Sequence, residues 1–144
     1  MRKLVACLAM IGGLVALAAP AAQAAPYQGG NYGLYGMEGF YPTQEPCAGT
    51  FRLIHSTTWN GIRLKYFYSD VCGSFARIEN APQNSSALLQ RSDDGRPEAD
   101  GWVAESVDPG INYAYTMIGN NLHGRVSRAV LVVDGHQVAW TSWY

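Results

Sequence analysis

The sequence predicts a small all-β domain, an antiparallel β-sandwich or barrel, that follows an export signal. Roughly eight short runs have the composition of strands, and they recur about every 8–12 residues, the spacing typical of sandwich and barrel strands. Turn residues separate the runs, and no segment keeps the apolar period near 3.6 residues that marks a helix. The strand-like runs are 51–56, 62–68, 74–79, 87–91, 102–107, 113–118, 126–133 and 136–143.

Turn chemistry and alternation define the best of these elements. We expect hairpins at Asn60-Gly61 and Asp134-Gly135, because both dipeptides accept the positive φ angles of a type I′ turn. Strict alternation in the first run would place Phe51, Leu53 and His55 on one face. Residues 92–101 are polar and acidic, so we expect an exposed loop there.

The N-terminus has the three parts of a secretory signal peptide. Met1-Arg2-Lys3 is cationic, and residues 4–17 form an apolar run of 14 residues. This run is too short to span a bilayer, which takes about 20 residues, and Ala22-Gln23-Ala24 gives the small-residue cleavage pattern. We expect cleavage after residue 24. The alternatives are a short buried helix, or a lipid anchor on Cys7, although a lipidated cysteine should follow the apolar run.

The chain is expected to have three parts: a signal peptide at 1–24, a flexible Gly/Tyr-rich segment at 25–46, and a β-rich domain at 47–144. Residues 27–45 hold five glycines and four tyrosines, with neither strand alternation nor a helical stripe. This composition favours a flexible arm. The alternative is an extended segment that mediates self-association.

Charge restricts the classes of partner. Removing Arg2 and Lys3 from ten basic residues leaves eight against eleven acidic residues, a net charge of −3. Nucleic-acid-binding domains usually carry a basic patch, so we expect no nucleic-acid partner. No later apolar stretch approaches membrane length, so we expect no membrane span in the mature form.

Two cysteines, Cys47 and Cys72, remain after cleavage. Exported proteins meet oxidising conditions, in which paired cysteines persist as disulfides. Closing this loop should stabilise the domain by about 3 kcal/mol in the chain-entropy account. Two free buried thiols are the alternative. The signal and the cysteines together predict a secreted, extracellular protein.

One stretch, residues 63–78, reads RLKYFYSDVCGSFARI. It resembles a family of secreted actinomycete proteins catalogued as domain of unknown function 2690. In that family an upstream Cys precedes a strand ending Leu-Arg-Tyr-Ser, a second Cys, and a Trp-Ala-Arg-Val-like strand. Cys47 and Cys72 would match the two cysteines, while Lys65 stands in the Arg place and Phe75 replaces Trp. The resemblance implies export and the disulfide, and it implies no activity.

No residue pattern predicts nucleophilic or metal chemistry. The three histidines, His55, His123 and His136, lie outside any zinc-binding spacing. Gly73-Ser74 lacks the elbow motif of a serine hydrolase, and a cysteine held in a disulfide offers no thiolate. We therefore assign no catalytic residue, no metal ligand and no cofactor.

Carboxylates leave one enzymatic alternative open. Glycoside hydrolysis needs two carboxylates across a cleft, and Glu79, Glu105 and Asp108 are candidates. Glu105 and Asp108 within reach of His55 would favour a small secreted hydrolase. Calcium binding is disfavoured, because the acidic loop does not have EF-hand spacing. That loop carries Asp93, Asp94, Glu98 and Asp100.

Aromatic residues provide the remaining evidence for a binding surface. Trp59, Trp143 and Tyr144 lie in a turn or at the end of the sequence, and we take them as a candidate binding surface. Trp102, and either Trp140 or Trp143, are expected to be buried, with Trp140 and Trp143 on opposite strand faces. We therefore expect a secreted non-enzymatic domain that binds a glycan or another secreted protein at the cell envelope or outside it. The alternatives are the hydrolase and an exported inhibitor or toxin.

Overall fold

The structure, a computed structural model, describes residues 37–144, so the predicted signal peptide and residues 25–36 lie outside the described part. Two antiparallel four-stranded sheets stack into a β-sandwich, with strand orders β1-β2-β3-β6 and β5-β4-β7-β8. No helix occurs within residues 37–144, and none there could cross a membrane. The predicted all-β fold is confirmed. The strands are β1 Arg52–Trp59, β2 Ile62–Ser69, β3 Gly73–Glu79, β4 Ser85–Ser92, β5 Gly101–Ser106, β6 Tyr113–Tyr115, β7 Val126–Val133 and β8 His136–Trp140.

Both predicted hairpins are confirmed. Asn60-Gly61 joins β1 to β2 with φ angles of 45° and 82°, and Asp134-Gly135 joins β7 to β8 with 50° and 77°. Two consecutive positive φ angles define the type I′ turn, whose twist matches that of the flanking strands. These turns fix the register at which both strand pairs begin.

The core lies between the two sheets and is built from alternate strand positions. Leu64 and Ile78 of one sheet and Leu89 and Leu131 of the other are completely buried. Small residues such as Ala129 fill the positions between them, which lets the sheets approach closely. The core also includes Ile62, Tyr66, Ala76, Ala81, Ala87, Val103, Val107 and Ala114.

A hydroxyl network crosses this core. The buried Tyr66 hydroxyl lies 2.7 Å from the Ser127 hydroxyl, which lies 2.7 Å from that of Ser74. The side-chain amide of Asn121 donates to the Tyr66 oxygen at 2.8 Å. Burial raises the pKa of Tyr66 to about 12, so the phenol stays protonated at neutral pH. The network joins β2, β3 and β7, and therefore ties the two sheets together.

Residues 37–50 lie against the sandwich as a series of turns. The disulfide Cys47–Cys72 anchors the segment to the β2–β3 turn, and Met37 and Phe51 pack around it. The predicted disulfide is confirmed. Glu38, which lies within the segment expected to be flexible, is buried and forms an ion pair with Arg91 of β4. The packed body therefore extends N-terminal to Cys47.

The face predicted for β1 is wrong. Leu53 pairs with Phe67, and the next paired residue, His55, pairs with Tyr66, so the register shifts across Ile54. A β-bulge inserts one extra residue and reverses the alternation beyond it. Leu53 is therefore exposed on the outward face, whereas His55 lies on the inward side near Tyr66.

Candidate functional site

The three aromatic residues predicted as a binding surface have three different environments. Trp59 is half-buried against the core, and Trp143 lies under the guanidinium of Arg128. Tyr144 packs its ring against Tyr68, with centroids 5.0 Å apart. No aromatic contact joins Trp59, Trp143 and Tyr144 within residues 37–144. Only Trp143 belongs to a larger exposed aromatic surface.

That surface is the outward face of the β5-β4-β7-β8 sheet, and we call it the tryptophan face. It carries Trp102 on the β5 edge, Trp140 on the β8 edge, and Trp143 beside β7. Trp102 and Trp140 are 39% and 57% exposed, so the expected burial of Trp102 is wrong. Its neighbour Val103 takes the inward position instead, because successive strand residues point to opposite faces.

The expected separation of Trp140 and Trp143 on opposite strand faces is also wrong. β8 ends at Trp140, so strand alternation does not continue to Trp143. Trp140 pairs with the outward Val130, and Trp143 contacts Arg128, which is the outward residue two positions earlier on β7. Both indoles therefore lie on the same side of the sheet.

Two polar side chains lie among these indoles. The Arg128 guanidinium is 4.8 Å from the centre of the Trp143 ring, and its Nε donates to Gln90 at 2.7 Å. Burial lowers the pKa of Arg128, although an arginine remains charged at any physiological pH. Outward Leu88 and Val130 lie in the middle of the face and are themselves buried. The face thus combines indole rings, a guanidinium and an amide on an apolar base.

The opposite outward face, on the β1-β2-β3-β6 sheet, has a different character. Three basic side chains converge on the carboxylate of Glu79, with Arg63, Lys65 and Arg77 at 2.8, 2.8 and 3.0 Å. The hydrogen bond from the Lys65 ammonium is the main cause that holds the pKa of Glu79 below its ordinary value. We call this the cationic face.

Two grooves flank Tyr115 at the edge of the cationic face. One, of about 230 Å³, is walled by Phe51, Phe67 and Phe75 and reaches Arg77. We call it the phenylalanine groove, and Pro42, Thr43 and Gly49 complete it. The other, of about 220 Å³, contains two carboxylates, and we call it the acidic groove. Its lining includes Tyr41, Glu105, Ser106, Asp108, Ile111 and Tyr113.

The acidic groove contains two of the three residues whose proximity would favour a hydrolase, Glu105 and Asp108. The Tyr41 hydroxyl donates to Glu105 at 3.2 Å, and burial, then the Glu105 charge, raises the pKa of Tyr41. His55, however, is on β1, whereas the groove borders β6 at the opposite edge of the sheet. The two carboxylates and the histidine are therefore not brought together.

The acidic loop is held by its own internal contacts. Arg96 pairs with Asp94, and the main-chain N–H of Asp93 donates to Asp100 at 2.6 Å. No group of three or more His, Cys, Asp or Glu side chains that could hold a metal ion occurs between residues 37 and 144. The loop is exposed, as expected.

Acid is expected to destabilise the fold in part through Glu79. A carboxyl whose pKa is lower in the folded than in the unfolded chain stabilises the fold above its unfolded pKa, and this contribution is lost as the pH falls through the folded pKa. Glu79→Gln removes this titration. Its free energy of unfolding should therefore vary less as the pH falls below 4.5, the ordinary pKa of a glutamate, than that of the unaltered protein. Denaturant titrations at several pH values measure both slopes, and equal slopes would contradict the expectation.

The fold and its surfaces define a class, a disulfide-linked β-sandwich with aromatic side chains on both outward faces. Comparison with known proteins adds no relative: no family model matches the chain, and neither a curated protein nor a solved structure matches it. The resemblance of residues 63–78 to the secreted actinomycete family stays a prediction.

Proposed function

We propose that this protein is a secreted, non-enzymatic glycan-binding domain and that the tryptophan face is its binding site. The observation that carries the proposal is the arrangement of Trp102, Trp140 and Trp143 on one outward sheet face with Gln90 and Arg128 between them. Four features of the chain favour export: a cationic start, a short apolar run, a small-residue cleavage pattern and a cysteine pair that forms a disulfide.

Indole rings and sugar rings have complementary surfaces. An aromatic face carries negative charge density, and the C–H bonds on one side of a pyranose ring present weak positive charge to it. The hydroxyls of the sugar then need polar partners at the ring edge. The Arg128 guanidinium has five N–H donors, and the bond from its Nε to Gln90 uses one of them. The face therefore offers both kinds of contact that a sugar requires.

The dimensions of the face suit an oligosaccharide chain. Trp102 and Trp140 stand on the two edge strands, β5 and β8. Four strands span three inter-strand distances, or about 14 Å at about 4.8 Å each. A bound chain of a few sugars could therefore contact both edges at once.

The charge of the face favours a neutral glycan over a protein partner. Strands β4, β7 and β8 contain no Asp or Glu, and the one carboxylate of β5, on Glu105, lies in the acidic groove. Arg128 is the one basic residue in these four strands that points outward. Specific protein interfaces use complementary charge patterns to select a partner, and a single cation that is already stacked and hydrogen-bonded provides little of one.

Binding to neutral polysaccharides tests the proposal. The secreted protein should be retained by chitin, cellulose, a β-glucan or cell-wall sacculi, and its tryptophan fluorescence should change on binding. The double variant Trp102→Ala/Trp140→Ala should lose at least about tenfold in affinity, since each stacked aromatic contributes on the order of 1 kcal/mol. Val71→Ala is the matched control, because Val71 is 69% exposed and lies in the β2–β3 turn. Failure to bind any of these polysaccharides, or equal binding by the double variant, would reject the proposal.

The acidic groove supports a second candidate, a small secreted glycoside hydrolase. Glu105 and Asp108 line one groove together with the Tyr41 hydroxyl, and paired carboxylates are the catalytic groups of such enzymes. Incubation of the protein with the polysaccharide it binds, followed by a reducing-end assay, distinguishes the two candidates. Release of reducing ends that Glu105→Gln abolishes would favour the hydrolase.

A further inference from the structure

We propose that the cationic face is a second binding site, specific for a glycan that carries carboxylate groups. In this site a sugar ring occupies the phenylalanine groove, and its carboxylate binds the exposed edges of Arg77 and the neighbouring basic residues. The inference goes beyond the proposed function, because the two sites share no side chain and lie on opposite sides of the sandwich.

Charge is distributed unevenly over the protein. Residues 37–144 hold eight basic and eleven acidic residues, so this part of the chain is acidic. Three of the eight basic residues nevertheless converge on one carboxylate, that of Glu79. Three positive charges against one negative charge leave a local charge of +2. The cationic face is therefore complementary to an anion.

Part of each arginine remains available to that anion. The side chains of Arg63 and Arg77 are 51% and 40% exposed. A guanidinium has five N–H donors, so a single bond to Glu79 leaves donors on both residues directed elsewhere. Hydrogen bonds from a guanidinium to a carboxylate are about twice as strong as neutral ones. Ser56 and Thr58, exposed on β1 opposite Lys65 and Arg63, add hydroxyls at the same level of the sheet.

The phenylalanine groove lies directly beside these charges. On the outward face Phe67 pairs with Phe75, and the next outward pair along β2 and β3 is Lys65 with Arg77. The rings of Phe67 and Phe75 are stacked, 4.7 Å apart and within 3° of parallel. Arg77 also pairs with Tyr115 on β6. The rings of Phe51, Phe67 and Phe75 contact one another, so a ring-shaped apolar surface laid on this aromatic cluster would have its edge beside the basic side chains.

Together the groove and the charges suit a uronic acid better than other anions. In single-stranded nucleic acid the backbone phosphates carry the charge and the bases provide the rings, so the ring and the anion lie in different parts of the nucleotide. An acidic peptide could pair its carboxylates with the basic side chains. Its acidic residues, however, carry no ring beside the carboxylate. A uronic acid joins a sugar ring and a carboxylate in one residue.

The probe is polygalacturonate, whose affinity for the secreted full chain can be measured by calorimetry or affinity electrophoresis. The double variant Lys65→Gln/Arg77→Gln should bind about tenfold or more weakly. Arg96→Gln is the control for loss of a surface charge, because Arg96 lies in the exposed loop and its replacement removes one positive charge, as Arg63→Gln does. The control should stay within about twofold. Arg63→Gln, at a half-exposed position, should weaken binding about threefold to tenfold. It replaces the double variant as the test if the double variant does not fold.

Three other polymers determine whether a carboxylated sugar is recognised. These polymers are tested on Trp102→Ala/Trp140→Ala, so that the tryptophan face, which is proposed to bind neutral glycans, does not contribute. Fully methyl-esterified polygalacturonate keeps the rings and loses the charges, and poly-glutamate keeps the charges and lacks the rings. Both should bind about tenfold or more weakly than polygalacturonate. Equal or tighter binding of the ester, of poly-glutamate or of oligothymidylate would overturn the inference, and so would equal affinity of the double variant and Arg96→Gln.

The same variants separate this inference from the proposed function. Trp102→Ala/Trp140→Ala should leave polygalacturonate binding unchanged, and Lys65→Gln/Arg77→Gln should leave neutral-glycan binding unchanged. Loss of polygalacturonate binding in the tryptophan variant would place the acidic glycan on the tryptophan face and overturn a second site.

Discussion

Replacing Arg91 with methionine is expected to lower the free energy of unfolding by about 3–5 kcal/mol, because removing one partner of a buried ion pair leaves the other charge uncompensated. The Arg91 side chain has no exposed surface, and that of Glu38 is 1% exposed. The Nε of Arg91 also lies 2.8 Å from Asp93, and the main-chain N–H of Asn120 donates to Glu38 at 2.9 Å. Guanidinium or urea denaturation measures the loss.

A double variant identifies the ion pair as the cause. Replacing both members of a buried pair with apolar side chains is often close to neutral, so Glu38→Met/Arg91→Met should be more stable than Arg91→Met alone. A matched surface substitution, Arg96→Met, should cost little, since exposed ion pairs contribute about 0–1 kcal/mol. If the losses of the single variants simply added in the double variant, the two side chains would not be coupled.

Removing the disulfide should have the next largest effect. Cys47 and Cys72 are 25 residues apart in sequence, and closing a loop of this length stabilises a protein by about 3 kcal/mol in the chain-entropy account. For a domain of this size the double variant Cys47→Ser/Cys72→Ser should melt about 10 °C or more below the unaltered protein. Serine hydroxyls would also replace sulfurs in an apolar cluster with Ile118 and Met37, which adds to the loss.

Reductant provides the control for the disulfide. The unaltered protein melted in excess dithiothreitol should approach the melting temperature of the double serine variant, whereas the variant itself should not respond. Equal melting temperatures for the oxidised protein and the variant would show that the cross-link contributes nothing to stability.

The order and approximate extent of all eight strands could be predicted from the sequence, because alternation and turn residues are local signals. The clearest example is β7, an apolar run that ends at the Asp-Gly turn and in which Ala129, Val130 and Leu131 are completely buried. Its predicted bounds, 126–133, are those of the structure. Where a strand ends without such a turn, the predicted end lies too far along the chain. The last strand is predicted at 136–143, whereas the structure has His136–Trp140.

The candidate site was harder to predict, because it depends on which side of a sheet each residue faces. The signal for Trp102 was present in the sequence, since Val103 and Val107 beside it fill the core. The bulge at Ile54 has no comparable signal. Contacts between distant segments, such as Glu38 with Arg91, leave no local pattern at all. The tryptophan and cationic faces therefore depend on how the strands are arranged side by side, which no local sequence pattern specifies.

The packing of residues 37–46 has a practical consequence for recombinant production. A chain shortened to begin at Cys47 would keep every strand, yet it would lack the Glu38 carboxylate beside Arg91 and the Tyr41 wall of the acidic groove. We expect such a product to be poorly soluble and to refold inefficiently. A product that begins at or before Met37 should be soluble and refold efficiently. The N-terminal boundary for expression belongs upstream of the first strand by some fifteen residues.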